Sequence, residues 1–193
     1  MNKKMYTISS TSVEGSDHIN VSKHSNTEIG KKLSYGYPIN IDTVFGKVGT
    51  VRSIMDFLVT PNYPKALLGK PKLTPSDIKK IPKRKTYLDN YWAIIAYILC
   101  LRVLSDESLI KLLKANKLPY TSYNISKSKY FAQETEVIEF NNKMYNYIDL
   151  INGIQTLIQE DKFNDDSIKD FVFSKMKNKE ISLFEGIINV VIK

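Results

Sequence analysis

The sequence feature that most constrains the fold is an apolar run near the middle of the chain. This run, YWAIIAYILCL, covers Tyr91–Leu101 and is followed by Arg102. It is too short to span a bilayer, which requires about 20 apolar residues. We therefore predict a soluble protein with a buried helix over Tyr87–Leu104, in which Trp92 and Cys100 belong to the core.

Length and cysteine content narrow the class of protein. A chain of 193 residues can bury one sizeable core without disulfides or a structural metal, so one compact domain with a terminal extension is expected. The single cysteine excludes an intramolecular disulfide and indicates a reducing, cytoplasmic environment. The first residues, MNKKMYTISSTSVEG, lack the apolar stretch of a secretory signal peptide.

Hydrophobic periodicity and turn residues predict short strands mixed with helices. Strands are predicted in the segments MYTISSTSV, HINVSK, PINIDTVFGKVG, LPYTSYNIS and EVIEF. Besides the central helix, helices are predicted over Thr50–Val59, over Asp106–Asn116 with Ser105 as its cap, and over Pro75–Ile81 with Thr74 or Ser76 as its cap. Amphipathic helices follow from Lys143 onward. The fold class is therefore α+β, predominantly helical with short strands.

Positive charge is concentrated in one segment of the chain. The formal net charge is +8, and residues 65–85 hold eight basic residues but only one acidic residue, Asp77. Three prolines in the same segment, Pro71, Pro75 and Pro82, and Pro64 immediately before it predict a stiffened loop. Such a loop suits contact with phosphates, so a nucleic-acid-binding role is predicted for Lys79, Lys80, Lys83, Arg84 and Lys85. The alternative is a solvated loop that only aids solubility.

The familiar catalytic signatures are absent from the sequence. There is no phosphate-binding glycine loop, no HExxH, no GxSxG and no cysteine pair, which removes the sequence basis for NTPase, dehydrogenase, zinc-hydrolase and serine-hydrolase functions. His18 and His24 lack acidic or cysteine neighbours that would complete a metal site, so both are expected to be surface histidines. No metal site and no cofactor are predicted.

Three segments of the chain resemble the NADAR (YbiA-like) family in their order and spacing. They are SKHSNTEIGKKLSYGYP, FGKVGTVRSIMDFL and SDESLIKLLKANKLPYTSYNI, and together they cover roughly Ile19–Ile125. The family's turn corresponds to Leu33 and Ser34, its glycines to Gly46 and Gly49, and its helix start to Thr50 and Val51. Its long helix corresponds to the helix around Trp92, and its short helix to the segment with Leu112 and Leu113. Its last strand corresponds to Leu118, Pro119 and Tyr120.

This resemblance implies a NADAR-like domain over residues 1–142, with a helical C-terminal extension over 143–193 that packs on it. It also implies a pocket for ADP-ribose or ADP-ribosylated DNA. Family members resemble N-glycosidases, some of which remove ADP-ribose from guanine in DNA. That reaction needs a carboxylate near the anomeric carbon, together with aromatic and amide groups that orient the ligand.

The chain departs from the family pattern at two expected site positions. Tyr35 stands where the family has asparagine, and Arg52 stands where it has the glutamate that opens the helix. An arginine cannot accept a proton, but its planar fork binds phosphate. Asp56, one helical turn beyond Arg52, and Glu28 are the candidate replacement carboxylates; alternatively, Asp56 simply pairs with Arg52.

Ligand contacts are predicted for one set of side chains that the resemblance places near the pocket. Tyrosines can stack on a base and bond a ribose or phosphate, although general packing is the alternative role for each of them. The predicted ligand-binding residues are Ser34, Tyr35, Arg52, Tyr120 and Tyr123.

Three hypotheses for the function follow. The abundance of Lys, Ile, Asn and Tyr is typical of phages and of AT-rich bacteria. The resemblance implies the first hypothesis, a phage counter-defence N-glycosidase that removes ADP-ribose from DNA in the host cytoplasm. The second is a catalytically silent NADAR-like protein that binds and inhibits the DNA ADP-ribosyltransferase toxin. The third is a basic phage protein that binds DNA nonspecifically.

Overall fold

The computed structural model describes residues 6–9, 12–83, 90–122, 135–138 and 142–176. Its helices are α1 (Glu28–Leu33), α2 (Val51–Val59), α3 (Pro75–Lys80), α4 (Tyr91–Leu104), α5 (Glu107–Ala115), α6 (Asn142–Gln159) and α7 (Asp165–Phe173). Its strands are β1 (Tyr6–Ser9), β2 (Ile19–Asn20), β3 (Ile41–Thr43), β4 (Gly46–Val48), β5 (Tyr120–Thr121) and β6 (Thr135–Ile138). The predicted α+β class is confirmed.

Helix α4 lies at the centre of the core and is buried on nearly every side. Only Trp92, Leu101 and Leu104 in this helix retain appreciable exposure. Helices α2, α5, α6 and α7 all pack against α4. A helix with apolar residues on all faces removes them from water only when other elements surround it. The prediction of a buried central helix is confirmed. No helix within the described residues has the length and apolarity needed to cross a membrane.

The strands form three separate pairs rather than one sheet. β1 pairs with β6, and β3 with β4, both antiparallel; the latter is a hairpin whose tight turn uses Gly46 at a φ of 109°. β2 and β5 are parallel, with Ile19 opposite Tyr120. This third pair joins the segment before α1 to the segment after α5.

The capping prediction is confirmed at α3 and wrong at α5, and Thr50, which was predicted as the first residue of a helix, is the cap of α2. Thr50 caps α2 and Thr74 caps α3, each in a reciprocal capping box. The prediction of Ser105 as the cap of α5 is wrong, because Asp106 caps this helix. Ser105 keeps helical backbone angles and ends α4, whereas an N-cap requires the extended backbone that Asp106 adopts.

The two C-terminal helices contribute to the same core. Ile148, Ile151, Ile154 and Ile158 of α6 are buried, as the amphipathic pattern indicated. α6 packs on α5, and α7 packs on α4. Gly153 allows α6 and α7 to approach closely, because a Cβ at this position would lie 2.4 Å from the Phe171 ring.

Candidate functional site

Residues 34–38, with the sequence SYGYP, form a turn between α1 and β3 that we call the tyrosine turn. Its backbone is held at both ends. The Tyr37 N–H donates to the Ser34 carbonyl at 3.0 Å, and the Arg52 N–H donates to the Tyr35 carbonyl at 2.7 Å. The second bond fixes the tyrosine turn against the first turn of α2, so the two segments that the resemblance singled out meet here.

Arg52 brings positive charge to the outer side of the tyrosine turn. Its side chain is 65% exposed, and its guanidinium carbon lies 6.0 Å from the centre of the Tyr35 ring. Its Nε is 3.7 Å from an oxygen of Asp56, whose side chain is 22% exposed. A long, partly exposed ion pair of this kind contributes little to stability, about 0–1 kcal/mol. Both charged groups therefore remain available to a ligand.

Two backbone donors in the first turn of α2, those of Arg52 and Ser53, are already occupied. The Ser53 N–H donates to the Thr50 hydroxyl at 2.9 Å, and the Arg52 N–H donates to the tyrosine turn. The Ser53 hydroxyl also donates to the Leu68 carbonyl at 2.9 Å, which ties α2 to the loop after it. An anion at this site would be held by side chains rather than by free helix N–H groups.

A second arginine lies beneath the tyrosine turn. Arg102, in the last turn of α4, is 2% exposed. Its Nη1 donates to the Ser34 carbonyl at 3.2 Å, and its guanidinium carbon lies 5.2 Å from the centre of the Tyr37 ring. Tyr147 of α6 completes the cluster: its ring stands nearly perpendicular to that of Tyr35 at 6.1 Å, and its hydroxyl donates to the Leu33 carbonyl at 2.8 Å.

The charge of Arg102 has no carboxylate partner within the described residues. Burial lowers the pKa of Arg102, and nearby Tyr147, Tyr37 and Asp106 partly oppose that effect. Asp106 itself binds Lys32 at 2.7 Å. The helix C-terminus offers a cation at most ~2 kcal/mol, whereas burial of an ion costs several kcal/mol. The positive charge is therefore incompletely compensated.

The structure brings only part of the predicted site together. Ser34, Tyr35, Arg52 and Asp56 are adjacent, as the contacts above describe. Glu28 lies at the opposite end of α1 from the tyrosine turn, where it is exposed and 3.8 Å from Lys32.

The remaining predicted ligand contacts do not join this cluster within the described residues. Tyr120 is buried in β5, opposite Ile19, and belongs to the hydrophobic core. Burial raises the pKa of its hydroxyl well above the usual range. Tyr123 lies outside the described residues.

The basic segment is anchored by its one acidic residue. Asp77 is buried, accepts from Lys70 at 2.8 Å and from the Thr74 N–H at 3.0 Å, and so fixes α3. Lys79, Lys80 and Lys83 are exposed, which leaves them accessible to a nucleic-acid backbone. Arg84 and Lys85 lie outside the described residues.

The expectation that both histidines lie on the surface is wrong for His18. His24 is exposed, but His18 is buried, and its Nδ1 lies 2.5 Å from the Asp17 carboxylate and 3.1 Å from the Ser12 hydroxyl. The cause is local: Gly15 donates to the His18 carbonyl, which folds this segment back on itself.

The contacts of His18 do not form a catalytic triad. Asp17 and Ser12 share one ring nitrogen, whereas a triad needs them on opposite nitrogens. The described residues contain no group of three metal-ligating His, Cys, Asp or Glu side chains.

Sequence reasoning missed Arg102 and Tyr147 as site residues. Arg102 follows the apolar run but still lies inside the predicted helix, which extends to Leu104. A charged residue inside a helix that is apolar on all faces has to be buried or near an end. This pattern in the sequence indicates that Arg102 is a charged residue at the buried end of the central helix.

Comparisons with known proteins find no match: no protein-family model and no curated protein matches the sequence, and no solved structure matches the fold. The chemistry of the site is therefore inferred from its own residues.

Proposed function

We propose that this protein binds an ADP-ribosyl group at the tyrosine turn and thereby acts as a phage counter-defence factor against DNA ADP-ribosylation. The observation that carries the proposal is the position of Arg52. Its exposed guanidinium lies beside the face of Tyr35, so that an aromatic surface and a phosphate-binding fork stand together. The NADAR-like order of the surrounding segments supports the choice of ADP-ribose among nucleotide ligands.

The ion pairs of the candidate carboxylates favour a protein that binds its ligand without cleaving it. Each carboxylate of the candidate set faces a basic group: Asp56 faces Arg52, and Glu28 faces Lys32. A carboxylate near a cation is less able to stabilise a second positive charge on a reacting ribose. In this mode the protein sequesters ADP-ribosylated DNA, or binds and inhibits the ADP-ribosyltransferase toxin.

N-glycosidase activity is the second candidate, and one observation favours it. Asp56 keeps a partly exposed carboxylate beside the Tyr35–Arg52 contact, with a separation of 3.7 Å from Arg52 that a ligand phosphate can disrupt. If the phosphate takes the guanidinium, Asp56 is left to stabilise oxocarbenium-like charge or to activate water. The exposed lysines Lys79, Lys80 and Lys83 would contact the DNA backbone in either mode.

The test is to incubate the purified protein with ADP-ribosylated DNA and with the same DNA unmodified. Binding is followed by fluorescence anisotropy, and released ADP-ribose by mass spectrometry. We expect selective binding of the modified DNA, weakened roughly tenfold by Arg52→Gln. The matched control is Lys114→Gln, because Lys114 belongs to an exposed ion pair with Asp161 elsewhere on the protein.

The outcomes separate the hypotheses. Release of ADP-ribose that disappears in Asp56→Asn assigns the glycosidase, whereas selective binding without release assigns sequestration. A stable complex with the toxin, formed without ADP-ribose, assigns inhibition of the toxin. Equal affinity for both DNAs, falling steeply with salt, overturns the proposal in favour of nonspecific DNA binding.

A further inference from the structure

We infer that Arg102 is a buried receptor for a phosphate group of the ligand, reached by displacement of the Tyr37 ring. The inference deepens the proposed function and rests on it for the identity of the ligand. The class of ligand that Arg102 itself selects is broader: a phosphate or pyrophosphate ester.

The basic side chains around the tyrosine turn differ in whether a carboxylate pairs with them. Arg52 is paired with Asp56, and Lys32 with Asp106. Arg102 remains without an ion pair in the part of the chain that the structure describes. A buried charge left in this state is destabilising, and an anionic ligand would supply the missing partner.

The Arg102 guanidinium has hydrogen-bond donor capacity left for a ligand. Nη1 is bound to the Ser34 carbonyl, and the Tyr147 hydroxyl also interacts with the guanidinium. Nη2, however, is buried and has no hydrogen-bond partner among the described residues. The Ser34 carbonyl also accepts from the Tyr37 N–H, so it stays satisfied if Nη1 turns toward a ligand. Both nitrogens can then present the two-pronged donor geometry that binds phosphate.

The group that covers the Arg102 guanidinium is the Tyr37 ring. Tyr37 lies against the guanidinium and is half-buried, in the tyrosine turn that precedes β3. Gly36 precedes it and has open space around it, since the nearest atom to an added Cβ is 4.0 Å away. The Tyr37 ring offers a partial, cation–π substitute for an anion in the free protein.

The test uses inorganic pyrophosphate, titrated calorimetrically into the full chain and into Arg102→Met. We expect Arg102→Met to weaken pyrophosphate binding roughly tenfold or more. We also expect its Tm to equal or exceed that of the wild type, because an apolar side chain of similar length replaces an uncompensated buried charge. Lys114→Gln, the exposed control, should change neither quantity.

Two results overturn the inference: Arg102→Met binds pyrophosphate as tightly as the wild type, or the wild type does not bind it. If Arg102→Met fails to fold, Arg102→Lys decides the question. It keeps the charge but loses the planar fork, so the inference requires weaker pyrophosphate binding with a Tm close to that of the wild type. Undiminished binding by Arg102→Lys counts against it.

The same variants separate this inference from the proposed function. Pyrophosphate binding that depends on Arg102, without selectivity for ADP-ribosylated DNA, supports the phosphate receptor and overturns the proposed ligand. Selective binding of ADP-ribosylated DNA that is unchanged in Arg102→Met keeps the proposed function and overturns the receptor.

Discussion

Two aspartates on neighbouring helices, Asp77 of α3 and Asp56 of α2, differ in how completely the fold uses them. Asp77 is 3% exposed at its side chain and binds Lys70 at 2.8 Å, and it also accepts from the N–H and the hydroxyl of Thr74. Asp56 makes one ion pair with the described residues, at 3.7 Å from Arg52, and keeps part of its surface open. Both lie near a basic residue in sequence, so the sequence alone does not distinguish them.

The difference shows where a carboxylate can be functional. The acceptor sites of Asp77 are filled by groups that hold α3 in place, so a ligand would have to compete with the fold. Asp56 contributes little to the fold and has acceptor capacity left for a substrate or a water molecule. The negative charges of Asp56 and Asp77 both reach Tyr63, whose pKa is raised to about 12 chiefly by burial.

The largest effect on the stability of the folded protein is expected when the pH is lowered. Bonds from Lys70 and Thr74 hold the pKa of Asp77 well below its usual range. For Asp106, burial acts to raise the pKa, but bonds from Lys32, Ser108 and the Leu109 N–H outweigh it and give a value of about 2. Because these pKa values are lower in the folded state, the unfolded state takes up protons first as the pH falls. The stabilisation is complete above about pH 5 and is lost progressively as the pH falls toward about 2, and the part due to Asp77 continues to be lost below that.

The measurement is the urea midpoint of unfolding, followed by circular dichroism across this range at constant ionic strength. The loss on acidification should be smaller in Asp77→Asn and unchanged in Asp56→Asn. A midpoint that already falls between about pH 7 and about pH 5 would contradict the assignment, because these carboxylates stay ionised there.

The next largest effect is expected from Asp77→Asn at neutral pH. The amide leaves Lys70 without its charged partner and places a donor where Thr74 needs an acceptor. We expect the Tm to fall by roughly 5 °C or more, since the buried Asp77 side chain loses its charge-assisted bonds from the partly exposed Lys70 and from Thr74. Differential scanning calorimetry of Asp77→Asn beside Asp56→Asn measures this, and equal Tm values would erase the contrast between the two aspartates.

A smaller effect is expected from Thr74→Ala. This change removes the hydroxyl that caps α3 but leaves Asp77 and Lys70 in place. The expected loss is about 1 kcal/mol in the free energy of unfolding. Thr74→Ser retains the hydroxyl and is the matched control; chemical denaturation should place it close to the wild type.

The smallest effect on stability is expected from Asp56→Asn. Its ion pair with Arg52 is long and partly exposed, so the free energy of unfolding should change by less than about 0.5 kcal/mol. Ligand binding or turnover, by contrast, should change in the assay with ADP-ribosylated DNA. A substantial loss of stability would give Asp56 the structural role that Asp77 has.

Much of the local structure could be predicted because its causes are local. Thr74, before a helical segment, predicted the start of α3, and the helix predicted over Thr50–Val59 matches α2 to within one residue. The alternation in PINIDTVFGKVG predicted the β3–β4 hairpin. The error at Ser105 arose because two cap-type residues are adjacent, and backbone angles rather than residue type decide between them.

The site could be predicted only in part because its remaining contacts are distant in sequence. The Nη1 atom of Arg102 reaches a carbonyl of residue 34, and the hydroxyl of Tyr147 reaches a carbonyl of residue 33. Neither contact follows from periodicity or from spacing. The family resemblance, for its part, remains a prediction that the proposed binding assay tests through the ligand.

The parallel pairing of β2 with β5 has a consequence for synthesis of the protein on the ribosome. Ile19 finds its partner only when Tyr120 has been made and has left the exit tunnel. At roughly 5–20 residues per second, the delay is on the order of 5–20 s. Until the later parts of the chain emerge, β2 lacks its partner strand and the tyrosine turn lacks its contacts with Arg102 and Tyr147, so both segments of the nascent chain stay open to proteases and to aggregation.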